Sequence, residues 1–93
     1  MRLSEYERNS IKETILAFDS NAEIFLFGSR VDDNKKGGDI DLLIFSKTIS
    51  FSDKIKLKLR LYDLIGEQKI DLILAKDCNE PFTRIAKGEG ILL

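Results

Sequence analysis

Apolar and polar residues alternate with two different periods along the 93-residue chain, and these periods predict its helices and strands. Ser4 and Glu7 have the spacing of a capping box, and apolar residues follow at helical intervals. Together they predict an amphipathic helix over about residues 5 to 18. Residues 23 to 27 form a short run rich in branched and aromatic side chains, which is typical of a strand. Residues 39 to 45 predict a second strand in the same way.

The second half of the chain contains a segment whose pattern is ambiguous. Residues 54 to 61 alternate strictly between basic and apolar side chains, which by itself would predict a strand. Four charged residues fall on one narrow stripe at helical spacing: Lys56, Arg60, Asp63 and Glu67. Ser50 with Asp53 can cap the start, so we predict a helix over about residues 52 to 66. A third strand over residues 69 to 75 and a last short helix over residues 82 to 87 then give the order α-β-β-α-β-α, an α/β (α+β) fold.

Length and composition limit what the chain can be. Residues 1–93 leave room for one domain, and 15 basic against 16 acidic residues provide no broad cationic surface for nucleic acid. The basic residues between 54 and 60 are divided between faces of the predicted helix, so we interpret them as solvated side chains rather than as a nucleic-acid patch. No histidine and a single cysteine exclude an intrachain disulfide, a Cys/His zinc site and histidine-based catalysis. We find neither a signal peptide nor an apolar segment of membrane-spanning length, which predicts a cytoplasmic protein.

Two carboxylates lie at the start of the second predicted strand. Asp39 and Asp41 are two residues apart, so their side chains point to the same side of the strand with Cα atoms roughly 6.5 Å apart. Two carboxylates placed in this way repel each other unless a cation lies between them. Mg²⁺ prefers oxygen ligands and usually takes one or two carboxylates, so the pair predicts a magnesium site.

A third carboxylate, Asp71, has the corresponding position in the third predicted strand. The helix between strands two and three is long enough for a parallel crossover, so the two strands can lie about 4.8 Å apart and bring Asp71 to Asp39 and Asp41. Such a cluster would raise at least one pKa in the metal-free protein. It would suit one or two metal ions at a phosphoryl centre, with Asp71 either as a metal ligand or as the base for an attacking hydroxyl.

A short turn upstream of the acids has the residue types that approach phosphates. Gly28 lets the backbone come close to a triphosphate, and the Ser29 hydroxyl can hydrogen-bond a phosphate oxygen. Arg30 adds a cation that can contact two oxygens. Each of these residues also has an ordinary structural interpretation, because Ser29 can cap a turn and Arg30 can pair with a neighbouring acid.

The combination of this turn, a spaced Asp-x-Asp and a later Asp on a strand resembles the minimal nucleotidyltransferases (MNT) of the DNA polymerase beta superfamily. The resemblance implies a mixed three-stranded sheet backed by helices. It also implies Mg²⁺-dependent transfer of a nucleoside monophosphate, usually AMP from ATP, to a hydroxyl. MNT proteins are commonly paired with a helical HEPN protein, and the MNT antitoxin can adenylylate a tyrosine of the HEPN toxin. The resemblance therefore implies a toxin-antitoxin partner of this kind.

One departure from the family pattern leaves alternatives open. Many relatives continue the Gly-Ser-Arg turn with a small residue, a basic residue and glycine, whereas Val31 is followed here by Asp32 and Asp33. One alternative is a catalytically silent MNT antitoxin that acts by binding alone. Another is a small-molecule nucleotidyltransferase of the antibiotic-modifying type, which would need a partner subunit to complete its substrate pocket.

The predicted sheet has apolar residues on both sides, and helices on one side would leave the other side partly bare. Exposed apolar patches usually mark interaction sites. We therefore expect a second copy of the chain, or a partner such as the HEPN-type protein, to cover Leu43, Phe45 and part of the helix around Leu57 and Leu61.

Overall fold

A computed structural model describes residues 3–31, 39–66, 69–76 and 88–93. The predicted α+β fold is confirmed, with two helices and a mixed β-sheet. The elements in chain order are α1 (Glu5–Phe18), β1 (Glu23–Phe27), a 3-10 turn (Gly28–Val31), β2 (Ile40–Phe45), α2 (Phe51–Ile65), β3 (Ile70–Ala75) and β4 (Ile91–Leu92).

Both predicted capping boxes are present and explain where the two helices begin. In α1 the Glu7 amide donates to Ser4 Oγ and the Ser4 amide donates to Glu7 Oε1, each at 3.0 Å. Ser50 and Asp53 make the same reciprocal pair at the start of α2, at 3.1 and 3.0 Å. The strictly alternating segment is therefore helical, as predicted. In the part of the chain that the structure describes, no helix is long and apolar enough to cross a membrane.

The sheet has the strand order β3-β2-β1-β4. Strand β2 pairs antiparallel with β1 and parallel with β3, as the α2 crossover predicts. The fourth strand was not predicted, and the expected three-stranded sheet is wrong in this respect. Two residues are too few to show a period, and β4 forms because the open edge of β1 offers its backbone groups, with the Leu93 amide donating to Ile24 O at 2.8 Å.

The predicted last helix over residues 82 to 87 lies outside the described residues. Gly88 and Glu89 have helical backbone, whereas the sequence pattern predicted a helix break at Gly88. Strand β4 follows directly after Gly90. Residues 91 and 92 at the end of the chain are thus part of the sheet.

The main core lies between the two helices and one side of the sheet. Strand residues Ile40, Leu42 and Ile44 face this core and are fully buried. Helix α1 contributes Ile11 and Ile15, and helix α2 contributes Leu57, Leu61 and Ile65. Because the side chains of β2 alternate, its odd-numbered residues face the other side of the sheet.

The other side of the sheet has a small core of its own. Leu43 is 0% exposed and Phe45 8% exposed, and the Phe25 and Phe45 rings meet edge to face with centroids 5.9 Å apart. Leu43 and Phe45 are therefore not left bare for a partner, and coverage of the helix around Leu57 and Leu61 stays a prediction. The first two are buried in this aromatic cluster, and the last two are the side chains that attach α2 to the sheet.

Candidate active site

The sheet brings the two strand-borne acids together. Asp41 is the second residue of β2 and Asp71 the second residue of β3, and they are direct partners in the parallel register. Their neighbours Ile40 and Ile70 are fully buried in the main core, so the two carboxylates project from the opposite side of the sheet. The Ile40 amide donates to Lys69 O at 3.0 Å, which fixes this register at the point where both strands begin.

Asp39 lies directly before β2, two residues from Asp41, and is half-buried. Its side chain contacts Lys69, the residue directly before β3, and so Asp39 belongs to the same group of charges. Lys69 Nζ lies 3.4 Å from Asp39 Oδ2, and the side chains are 69% and 42% exposed. All three predicted acids therefore lie at the end of the sheet where β2 and β3 begin.

The turn after β1 lies against Asp41. Phe27, the last residue of β1, pairs with Asp41 across the antiparallel ladder, so Gly28 follows at the same end of the sheet. Gly28 has a φ of 76°, and an added Cβ would overlap Asp41 Oδ2 and lie 3.2 Å from Asp41 Cγ. Glycine is thus required both by the backbone conformation and by the carboxylate beside it.

The other predicted phosphate-binding residues follow in the 3-10 turn. Ser29 lies in this turn by its backbone, and its side chain is outside what the structure describes. Arg30 is half-buried in the same turn and makes contacts of its own. The acidic departure at Asp32 and Asp33 falls in residues 32–38, outside the described residues.

The acids influence each other electrostatically. Partial burial raises the pKa of Asp41 above its ordinary value, and the charge of Asp71, a hydrogen bond with it and the charge of Asp39 raise it further. Lys69 opposes this effect. The pKa of Lys69 is raised first by its hydrogen bond with Asp39 and by the charge of Asp39. The charges of Asp71 and Asp41 raise it further. Local negative potential therefore concentrates at this end of the sheet.

Sequence reasoning missed Lys69. The signal was available, because a lysine two residues before Asp71 points to the same side of the chain when the backbone is extended. The predicted site contained acids and a phosphate turn but no counter-charge among the acids. The geometry adds this cation beside Asp39.

Comparison with protein families decides what kind of domain carries this site. A family described as Polymerase beta, Nucleotidyltransferase matches residues 9–93, which is almost the whole chain. The chain belongs to this family. No curated protein matched the chain. Membership supports transfer of a nucleotide as the general activity, and such nucleotidyltransferases generally use Mg²⁺ and a nucleoside triphosphate.

The residues of this nucleotidyltransferase fit Mg²⁺ by the chemistry of their donors. Asp39, Asp41 and Asp71 offer only carboxylate oxygens, and Mg²⁺ usually completes its shell with water and substrate phosphates rather than with a full protein cage. Among the described residues, no group of three or more acidic, histidine or cysteine side chains is already gathered as a metal site.

A shallow cavity of the nucleotidyltransferase lies at the opposite end of the same strands. It has a volume of about 490 Å³, and Asp19, Ser46, Lys47 and Lys76 are among its lining residues. Ser46 Oγ donates to Asp19 Oδ2 at 2.6 Å and accepts from the Ile49 amide at 3.0 Å. We assign this region to loop structure rather than to catalysis, since none of the three site acids lines it.

Proposed function

We propose that this nucleotidyltransferase is an MNT antitoxin that transfers AMP from ATP to a hydroxyl group of a HEPN-type toxin, in an Mg²⁺-dependent reaction. The observation that carries the proposal is the direct pairing of Asp41 with Asp71 beside Gly28. This pairing places carboxylate oxygens that can bind a metal ion next to a turn that phosphates can approach closely, and nucleotide transfer requires both. The finer assignment to AMP, to a tyrosine and to a toxin partner rests on the resemblance to MNT proteins.

In this proposal Asp39 and Asp41 hold the metal, and Mg²⁺ supplies neutralisation of phosphate charge when it is bound. Gly28 admits the triphosphate to the backbone of the turn, where Ser29 and Arg30 contact its oxygens. Asp71 lies on the same side of the sheet and accepts the proton of the acceptor hydroxyl. The hydroxyl oxygen forms a bond to the α-phosphorus of ATP. The bond between the α-phosphorus and the oxygen that bridges to the β-phosphate breaks, and pyrophosphate leaves.

A protein acceptor is favoured over a nucleic acid by the charge of the chain. Fifteen basic and sixteen acidic residues give a net charge of −1, and the acids concentrate at the proposed site. A polyanionic acceptor would be repelled by the negative potential at that end of the sheet. A tyrosine hydroxyl on a partner carries no such charge.

The test is incubation of the purified chain with ATP, Mg²⁺ and a HEPN-type toxin, followed by intact mass measurement of the toxin. We expect the mass of one AMP to be added, and Asp39→Ala to abolish the addition. Glu13→Ala is the matched control, because Glu13 is an exposed carboxylate on α1, outside the site and outside helix α2.

Two results would contradict the proposal. Addition of AMP that persists with Asp39→Ala would remove the metal-ligand role of that residue. Neutralisation of the toxin without any gain in mass, unchanged by Asp39→Ala, would show that the chain acts by binding alone.

A further inference from the structure

Helix α2 exposes a row of large apolar side chains that no other part of the described structure covers. Phe51 is 73% exposed, Ile55 55% and Leu59 61%. They are spaced four residues apart and therefore form one continuous line along the helix, which we name the α2 stripe. The buried residues Leu57 and Leu61 attach the helix to the main core by a different face.

The α2 stripe has basic residues along it. Helix α2 contains four basic and two acidic residues. Lys54 and Lys58 each lie three residues after a stripe residue and flank the stripe. Asp53 is engaged in the capping box, and Asp63, four residues after Leu59, follows the stripe along the same line. Lys54 Nζ lies 5.4 Å above the Phe51 ring, so one cation sits directly at the start of the stripe. Within the described ranges, no salt bridge joins Lys58 or Arg60 to an acidic residue. The helix is locally cationic in a chain whose net charge is −1.

We propose that the α2 stripe binds an amphipathic helix of a partner protein, with apolar side chains on the stripe and acidic residues opposite the lysines. Three apolar residues at this spacing match the contact line of two packed helices. A second copy of the chain suits the stripe less well, because two α2 helices placed face to face would bring their basic residues together.

The α2 stripe is separated from the candidate active site by the sheet. Helix α2 packs on the side of the sheet that holds Ile40 and Leu42, whereas Asp41 projects from the other side. A helix bound to the stripe therefore leaves the acids open to nucleotide. The inference goes beyond the proposed function and does not depend on nucleotide transfer.

The test uses a labelled synthetic helical peptide with leucines along one face and glutamates beside them, and fluorescence anisotropy with the full chain. We expect the acidic peptide to bind and Ile55→Gln to weaken it at least about tenfold. Leu92→Gln is the matched control, because Leu92 has the same 55% exposure but lies on β4. Lys58→Glu should also weaken binding, and so should added salt.

Thermal unfolding of each variant checks that the fold is intact, and Leu59→Gln replaces Ile55→Gln if the latter does not fold. Three results would overturn the proposal. The first is equal binding of a peptide in which lysines replace the glutamates. The second is binding of the acidic peptide that stripe substitutions leave unchanged. The third is a dimer in sedimentation experiments that the same substitutions dissociate, which would make a second copy the occupant.

Discussion

Asp41→Asn should stabilise the protein in the absence of metal, although it removes a proposed ligand. Asp41 faces Asp71 directly across the parallel pair, and paired positions on neighbouring strands lie about 4.8 Å apart. Two unit charges at that separation repel by about 0.9 kcal/mol in water and about 3.5 kcal/mol at an effective dielectric constant of 20. Both carboxylates are only half-buried, so solvent screening favours the lower part of this range.

We therefore expect Asp41→Asn to raise the free energy of unfolding by about 1 kcal/mol, which corresponds to roughly 4 to 8 °C in Tm for a domain of this size. The sign agrees with the raised pKa of Asp41, because the folded state disfavours its charged form at neutral pH. The assay is thermal and urea unfolding at pH 7 in EDTA and low salt. High salt should reduce the gain by screening the repulsion.

Asp63→Asn is the control for this experiment, since it removes an exposed carboxylate of α2. Its stability in EDTA should be close to that of the unmodified chain. Mg²⁺ with a nucleoside triphosphate should then raise the free energy of unfolding of the unmodified chain more than that of Asp41→Asn. The reason is that a ligand stabilises the folded state according to its affinity, and the variant lacks a proposed metal ligand. An Asp41→Asn protein that is equally or less stable in EDTA would refute the reasoning.

Three further outcomes are expected. Gly28→Ala should destabilise the fold by more than about 1 kcal/mol and weaken binding of nucleotide with Mg²⁺, because the new Cβ meets the carboxylate of Asp41. Gly66→Ala is the control, since Gly66 has a φ of 86° but open space around it. This variant should be less stable in urea unfolding but should bind nucleotide normally. Equal nucleotide binding by Gly28→Ala and Gly66→Ala would contradict the role of Gly28. Ser46→Ala should cost about 1–3 kcal/mol in urea unfolding by leaving a buried amide unpaired, and a cost near zero would argue against that role. The Ser46 hydroxyl, followed by a backbone amide, lowers the pKa of Asp19, so this carboxylate stabilises the fold above its ordinary pKa of about 3.9 and loses that effect as pH falls through the lowered value. The difference in free energy of unfolding between Ser46→Ala and the unmodified chain should therefore become smaller as the pH of the unfolding experiment is lowered. A difference that does not change with pH would exclude the interaction between Ser46 and Asp19.

The helices could be predicted because their signals are local. The start of α1 is marked by Ser4 with Glu7, and the start of α2 by Ser50 with Asp53. The spacing of the apolar residues then predicts the remainder of each helix. The approach of Asp71 to Asp41 was also predictable, since both acids precede similar apolar runs and the crossover makes the strands parallel. These features depend only on residues close in sequence and on one general rule of topology.

The features that were missed depend on contacts between distant segments. Strand β4 is two residues long and exists because β1 has an open edge, which no period in the sequence reveals. Leu43 is buried in a cluster with Phe25 and Phe45, whose rings come from two different strands. Lys69 is the exception, because its position two residues before Asp71 already indicated the same side of the strand in the predicted register.

The central claim is that the acids at the start of β2 and β3 bind a divalent cation next to the Gly28 turn. Anomalous diffraction from crystals grown with Mn²⁺ and a non-hydrolysable ATP analogue tests it most directly. The account predicts a manganese peak on the carboxylates of Asp39 and Asp41, with the phosphates against Gly28. Manganese absent from both carboxylates, or a nucleotide bound beside Lys47 and Lys76 at the other end of the strands, would contradict it.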